Sequence, residues 1–349
     1  MPQRISARRI RETDTYDAFP SDIISLPDDE LLVVYRRAEH EPEEHLPEQR
    51  RSTRGHVSNH GRVVANRSRD DGKSWSDAFT IANHQGLDTR NQSVVYSQRE
   101  GRLVVFYWVI DAVRWFEDRN ALDGVYYIVS DDYGRTWSSP TEITDKIGES
   151  SPYGGGVETT DGLFTTFYNA SDGRITGLFS GDDGRTWSET VTVCDSGEHR
   201  SRSEPHPVSL TENRLMVFGR DSSGDFWCVR SVDGGDTWED PVEFNIGGMQ
   251  KGVPIWVKPT GPNELTAVWG DRTNGYIFAS HVSAHLAWQD PSELATRPRK
   301  PIHKMQTQSD ATGDFGYPTF AQLGTDHSDI LITFYDGHEE PDIYTMNLY

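Results

Sequence analysis

Three observations predict an all-β chain folded as a six-bladed propeller of four-stranded antiparallel blades. The first is a box of the form Ser-x-Asp-x-Gly-x-x-Trp, present as SRDDGKSW (68–75), SDDYGRTW (130–137), SGDDGRTW (180–187) and SVDGGDTW (231–238). Its tryptophans, Trp75, Trp137, Trp187 and Trp238, stand 62, 50 and 51 residues apart, and Trp288 follows another 50 on, in a worn fifth copy. A fixed period of about 50 residues is the size of one propeller blade. The second is a recurring strand–turn–strand pair, and the third is composition. With Trp 10, Tyr 14 and Phe 14 for bulk and Gly 31 and Pro 18 for punctuation, the 349 residues read as many short strands and turns.

Each residue of the box has a physical task. The Asp suits a turn in which its carboxylate folds back onto nearby backbone N–H groups. The Gly can take the positive φ such a turn needs. The Trp returns a large ring beneath the turn, where its burial pins one hairpin to its neighbour. Apolar strands precede the boxes, as in DGVYYIVS (123–130) and GDFWCVRS (224–231), so the box joins the two outer strands of a sheet.

The inner strands repeat in chain order. FPSDIISL…ELLVVYR starts at Phe19, RNQSVVYS…RLVVFYW at Arg90, and YGGGVETTDGLFTTFY spans 153–168. EPHPVSL…RLMVFGR starts at Glu204, VPIWVKP…ELTAVWG at Val253 and YPTFAQL…DILITFYDG at Tyr317. These are six meanders, with no helical stretch of any length. The last has only three strands before DIYTMNLY ends the chain, so ISARRIRE (5–12) is expected to supply its outer strand and close the ring. The whole chain, 1–349, then reads as a single propeller domain.

Charge and motifs exclude several functions. The net charge of −21, with only six Lys among the 34 basic residues, argues against nucleic acid or an anionic membrane as partner. No window approaches the apolar length of a membrane span, and the first fourteen residues hold no apolar signal core. The expectation is a soluble, cytoplasmic chain, with secretion after removal of a signal left open. Cys194 and Cys228 read as unpaired thiols. HEPEEH (40–45) is not a zinc helix, because its spacing is wrong and Pro42 forbids a helix there. No metal and no cofactor are expected, and oligomeric state is not readable.

In a propeller, the first strand of every blade begins at one mouth of the central channel. The side chains gathered there would be Ala18 and Phe19; Arg90, Asn91 and Gln92; Tyr153; Glu204 and His206; Lys251; and Tyr317. Loops after the second strands add Arg36, Arg37 and EHEPEEH (39–45), Trp108 and Asp111, Arg220, and Asp271 with Arg272. A polar, charged and aromatic funnel of this kind suits a carbohydrate.

At these residues the chain resembles the sialidase (neuraminidase) superfamily, whose repeat is called the Asp box, over essentially its whole length. The resemblance implies that Tyr317, in GYPTFAQL, is a nucleophile, with Pro where the family usually has Ser. It implies that Glu204, opening SEPHPVSLTENRLMVFGR, is the partner base, and that Arg220 and Arg272 hold a substrate carboxylate. A neutral Tyr primed by Glu suits an anomeric carbon bearing a carboxylate, which would repel an anionic nucleophile. Two departures stand out. The family's first arginine is replaced, since AFP puts Ala18 there, leaving Arg36, Arg37 or Arg90 to reach in. The family's acid/base Asp is absent from the blade-one loop, which offers Glu39, Glu41, Glu43 and Glu44, with Glu43 aligning best.

The resemblance therefore implies a retaining exo-glycosidase acting on a terminal, acidic sugar. Two other readings stay open: a carbohydrate-binding propeller without catalysis, and a propeller-type lyase acting next to a uronate.

Overall fold

The computed structural model describes residues 8–10, 16–39, 57–117, 121–195, 202–211, 213–245, 253–296, 300–304, 315–324, 329–336 and 342–348. Six four-stranded antiparallel sheets are arranged as the blades of a propeller. Blade one comprises Tyr16–Ser25, Leu31–Glu39, Arg62–Ser68 and Phe79–Ala82. Blade two comprises Asp88–Ser97, Arg102–Ile110, Leu122–Ser130 and Thr141–Glu142. Blade three has Ser150–Thr159, Gly162–Asn169, Ile175–Ser180 and Val191–Cys194. Blade four has Arg202–Thr211, Arg214–Asp221, Phe226–Ser231 and Val242–Phe244. Blade five has Trp256–Gly261, Glu264–Asp271, Tyr276–Ser283 and Lys300–Lys304. Blade six has Phe315–Leu323, Asp329–Asp336 and Asp342–Leu348, and its fourth strand comes from the other end of the chain. Arg8 pairs with Thr345 and Arg9 with Tyr344, antiparallel, so blade six joins both ends of the sequence.

The boxes form the same hydrogen-bonded turn four times. In the second, the Ser130 hydroxyl donates to Asp132 Oδ1 at 2.7 Å and accepts the Gly134 N–H at 2.7 Å. Asp132 also accepts the Thr136 N–H at 2.8 Å and the Thr136 hydroxyl at 2.6 Å. Each box tryptophan packs into the preceding blade. Trp187 meets Phe106 edge-on with centroids 4.9 Å apart, and Trp238 stacks on Phe164 at 5.6 Å. These rings are the staples between blades.

Blade five departs from the expectation of no helix. Where the worn box stands, Ser283 caps a helix, Ala284–Gln289, by accepting the Leu286 N–H at 3.5 Å. Without the Asp and Gly of the box the tight turn is not made, and Ser283 serves as an N-cap instead. Trp288 keeps its inter-element task, with the Arg214 and Arg230 guanidinium groups 5.2 and 5.9 Å above its ring. Among the described residues, three more short helices are Ala112–Glu117, Thr144–Ile147 and Glu293–Thr296. Cys194 and Cys228 are both buried and free. Among the described residues, no helix is long and apolar enough to cross a membrane.

The inner strands of all six blades line a channel that holds a cavity of about 430 Å³. Its walls include Asp22, Tyr96, His206, Trp256 and Lys258, while Tyr317, Glu204 and Arg220 stand outside it.

Candidate functional site

At one mouth of this channel, the ladder between first and second strands slips in blade after blade. In blade four, Ser203 pairs with Arg220 and His206 with Phe218, which leaves Glu204 and Pro205 bulged. Blade six does the same with Tyr317 and Pro318, and blade two with Asn91 and Gln92. The first bulged residue of each pair adopts a left-handed backbone: φ is 49° at Asn91, 52° at Glu204 and 52° at Tyr317. In blade three, Gly154 takes the equivalent turn at φ 84°, just after Tyr153. Such a backbone costs a residue bearing a Cβ about 1–3 kcal/mol and persists only where the surroundings enforce it. Bulges re-aim side chains. Proline after Glu204 and Tyr317 fits, because it has no N–H for the broken ladder to leave unpaired.

These bulges bring blades four and six together. The Tyr317 hydroxyl donates to Glu204 Oε1 at 2.5 Å. Arg220 Nε donates to the other carboxylate oxygen, and its Nη2 lies 3.4 Å from the Tyr317 hydroxyl. Glu204 is 6% exposed. Burial, and then the Glu204 charge, push the Tyr317 phenol well above its usual range, and Arg220 and Arg272 offset only part of this. The phenol is therefore neutral until its proton is taken. Burial opposes the Arg220 charge, but the Glu204 carboxylate overrides it and raises the guanidinium pKa.

Arg272 completes the third side. Its guanidinium lies over the Tyr317 ring, 5.7 Å from the centroid, while Nε donates to the Phe315 carbonyl and Nη2 to the Tyr335 hydroxyl, each at 2.7 Å. Tyr153 meets the Tyr317 ring edge-on at 5.9 Å and forms part of the floor.

The other arginines separate. Arg36 is only 2% exposed and grips the buried Asp88 by two hydrogen bonds, at 2.8 and 2.9 Å. It forms a buried ion pair with that carboxylate. Arg90 Nη1 lies 3.6 Å from the same carboxylate, and its charge is felt at the Tyr168 and Tyr317 hydroxyls. Burial lowers its pKa, and Asp88 counters that. Arg37 is half-buried and pairs in register with Ala18, the position where the family has arginine. Glu43 lies outside the described residues, as do Glu41, Glu44 and Lys251; Glu39 ends a strand.

His206 is not a mouth residue. It sits deeper, stacked on Trp256 at 4.1 Å, with its ring nitrogens against the Gly154 and Val257 carbonyls. Burial takes its pKa to about 4, against the pull of both carbonyls. Asp111 accepts the Val113 N–H at 2.8 Å at the start of a short helix, and Asp271 accepts the Thr273 N–H at 2.8 Å in a turn. Asp88 and Tyr335, which hold arginines in place, were missed from sequence. For Asp88 the available signal was an acid two residues before Arg90 on the strand that opens a blade. Among the described residues, no group of three His, Cys, Asp or Glu could hold a metal ion.

A neutral phenol bonded to a carboxylate, with guanidinium groups on two sides, can pass a proton to that carboxylate while an anion is held above it. Residues 52–330 match the family model described as a BNR repeat-like domain. The chain belongs to this BNR repeat-like family. Among curated relatives, the BNR repeat-like chain is 25% identical over 213 residues to a sialidase of Paraclostridium sordellii, covering 53% of this chain and 51% of that one. It is 28% identical over 123 residues to an anhydrosialidase of Macrobdella decora, covering 32% and 16%. The matched stretches thus span about half, or less, of those relatives' own length.

Solved structures share the fold. A Dyadobacter fermentans protein of unknown function superposes with TM-score 0.80 at 19% identity, covering 99% of both chains. A sialidase of Streptococcus pneumoniae gives TM-score 0.68 at 12% identity, covering 95% of this chain and 68% of that one. A leech intramolecular trans-sialidase gives TM-score 0.66 at 13%, covering 97% and 70%. The BNR repeat-like propeller is thus sialidase-like in fold and a distant relative of sialidases in sequence.

Proposed function

We propose that this propeller is a retaining exo-glycosidase that removes a terminal acidic sugar, with Tyr317 as nucleophile and Glu204 as its base. The 2.5 Å hydrogen bond from the Tyr317 hydroxyl to Glu204 carries this reading. Attack by the phenol oxygen forms a bond to the anomeric carbon as the glycosidic bond breaks, and the phenol proton passes to Glu204. An acid protonates the departing oxygen; its conjugate base then takes a proton from the water that releases the sugar, while Glu204 returns its proton to the tyrosine oxygen. Because the free phenolate is disfavoured by burial and by Glu204, proton loss and attack belong to one step.

Arg220 and Arg272 flank the phenol and suit the two oxygens of a carboxylate on the reacting carbon. Arg90 is assigned as the third cation, in place of the arginine absent at position 18. Glu43, in the blade-one loop, is assigned as the acid.

The test is release of methylumbelliferone from its α-sialoside. Tyr317→Phe is expected to abolish release, and Glu204→Gln to lower kcat by about 10²–10⁴-fold. Turnover that survives Tyr317→Phe would refute the assignment. Absence of turnover across acidic glycosides, with measurable glycan binding, would leave a binding propeller.

A further inference from the structure

Among the described residues, three that bear a Cβ occupy the left-handed bulge position at the channel mouth. Two are Glu204 and Tyr317, and the third is Asn91, at the same strand position in blade two. Its side chain bridges two blades. Asn91 Oδ1 accepts from Arg90 Nε at 3.2 Å, and Nδ2 donates to the Ser151 hydroxyl of blade three at 2.8 Å. Arg90 has only donors, so the amide must present its oxygen to it and its nitrogen to Ser151. Ser151 is fully buried and pairs in register with Tyr168. On the opposite side, Arg90 Nη1 faces the buried Asp88 at 3.6 Å. The guanidinium is thus braced along one edge by Asn91 and on one nitrogen by Asp88, one residue before the bulge position that Glu204 and Tyr317 occupy in blades four and six.

We propose that Asn91 is a positioning residue for substrate charge, bracing Arg90 against blade three so that Arg90 replaces the arginine absent at position 18. This rests on the acidic-sugar reading of the same site. An amide suits the task because it accepts from Arg90 without cancelling its charge. A carboxylate would accept equally well but neutralise the cation, and a residue intolerant of left-handed backbone would disturb the bulge.

The test is calorimetric binding of 2,3-didehydro-2-deoxy-N-acetylneuraminic acid and of its methyl ester, which lacks the charge. Asn91→Gly keeps the backbone comfortable and removes the brace. Asn91→Asp is nearly isosteric and serves as the second variant if the first does not fold. Wild-type protein is expected to prefer the acid. Asn91→Gly should cut that preference by about tenfold, through weaker acid binding at unchanged ester binding, and Asn91→Asp should cut it further. A wild-type preference kept by both variants would overturn the role of Asn91 while leaving the carboxylate site standing. A wild type that binds neither probe, or both alike, would overturn the acidic-sugar reading, and the role of Asn91 with it.

Discussion

Tyr317 and Glu204 hold their geometry from a backbone conformation that side chains with a Cβ normally avoid, so the packing beneath them must enforce it. Gly154 is part of that packing. A Cβ there would lie 1.9 Å from the Pro205 carbonyl oxygen, on a backbone already at φ 84°. Gly154→Ala is therefore expected to push Pro205 and the adjoining Glu204 away from Tyr317, costing about 2–3 kcal/mol of stability and much of any turnover. Thermal melting together with sialoside hydrolysis checks both. Deeper in the channel, Asp22 accepts the Val94 N–H at 2.8 Å, and Lys258 donates to the Phe320 carbonyl at 2.8 Å. Burial raises the Asp22 carboxyl to about 7, against the pull of Val94 and Lys258, and burial lowers Lys258 to about 8. An acid with a raised folded pKa stabilises fully below its unfolded value of 3.8, and that contribution is lost as pH rises to about 7. Lys258 acts in another window, its contribution being lost as pH falls through about 8. Asp22→Asn should thus gain in Tm relative to wild type between about pH 4 and 7 and level off above. A difference in Tm that stays flat across that range would contradict the burial of this carboxyl.

The Asp box is the element most fully legible in the sequence, because all its bonds lie within about four residues and its spacing repeats. In the fourth copy Asp233 accepts the Thr237 N–H at 2.9 Å and the Thr237 hydroxyl. Those bonds, with the Thr237 side chain first, lower its pKa to about 2. Asp233→Ala is expected to cost about 1–2 kcal/mol at neutral pH without changing activity, since the turn is remote from the mouth. With a depressed folded pKa, the wild-type advantage should fade as pH falls from about 4 to 2, which melting curves of the pair would show. The worn fifth copy was less legible. Its period and its Trp288 were visible, yet the segment is helical because Ser283 caps where an Asp turn would otherwise form. The bulges were barely legible. Nothing in SEP or GYP spells a left-handed residue, and RNQ offers only the weak cue that asparagine tolerates that backbone.

At the scale of the whole molecule, the repeat made it possible to foresee that blades four and six would meet at one mouth. Tyr317 and Glu204 are 113 residues apart in sequence and share a hydrogen bond. What the repeat could not convey was which arginine would face the channel. Ion pairs between elements bear on that: the buried Asp88 holds Arg36 at 2.8 Å and Arg90 more loosely at 3.6 Å. Blade-to-blade fastening follows the same logic away from the site, where the buried Glu30 receives Arg67 at 2.9 Å and Arg135 of the next blade at 3.3 Å. The propeller thus works as a frame that converts distant residues into one constellation, at which covalent catalysis by Tyr317 is proposed. The most direct measurement is the mass of the protein after incubation with 2,3-difluoro-sialosyl fluoride, followed by peptide mapping. A single sugar adduct on the peptide containing Tyr317, absent in Tyr317→Phe, is the predicted result. A protein that hydrolyses sialosides yet carries its adduct elsewhere, or none, would contradict it.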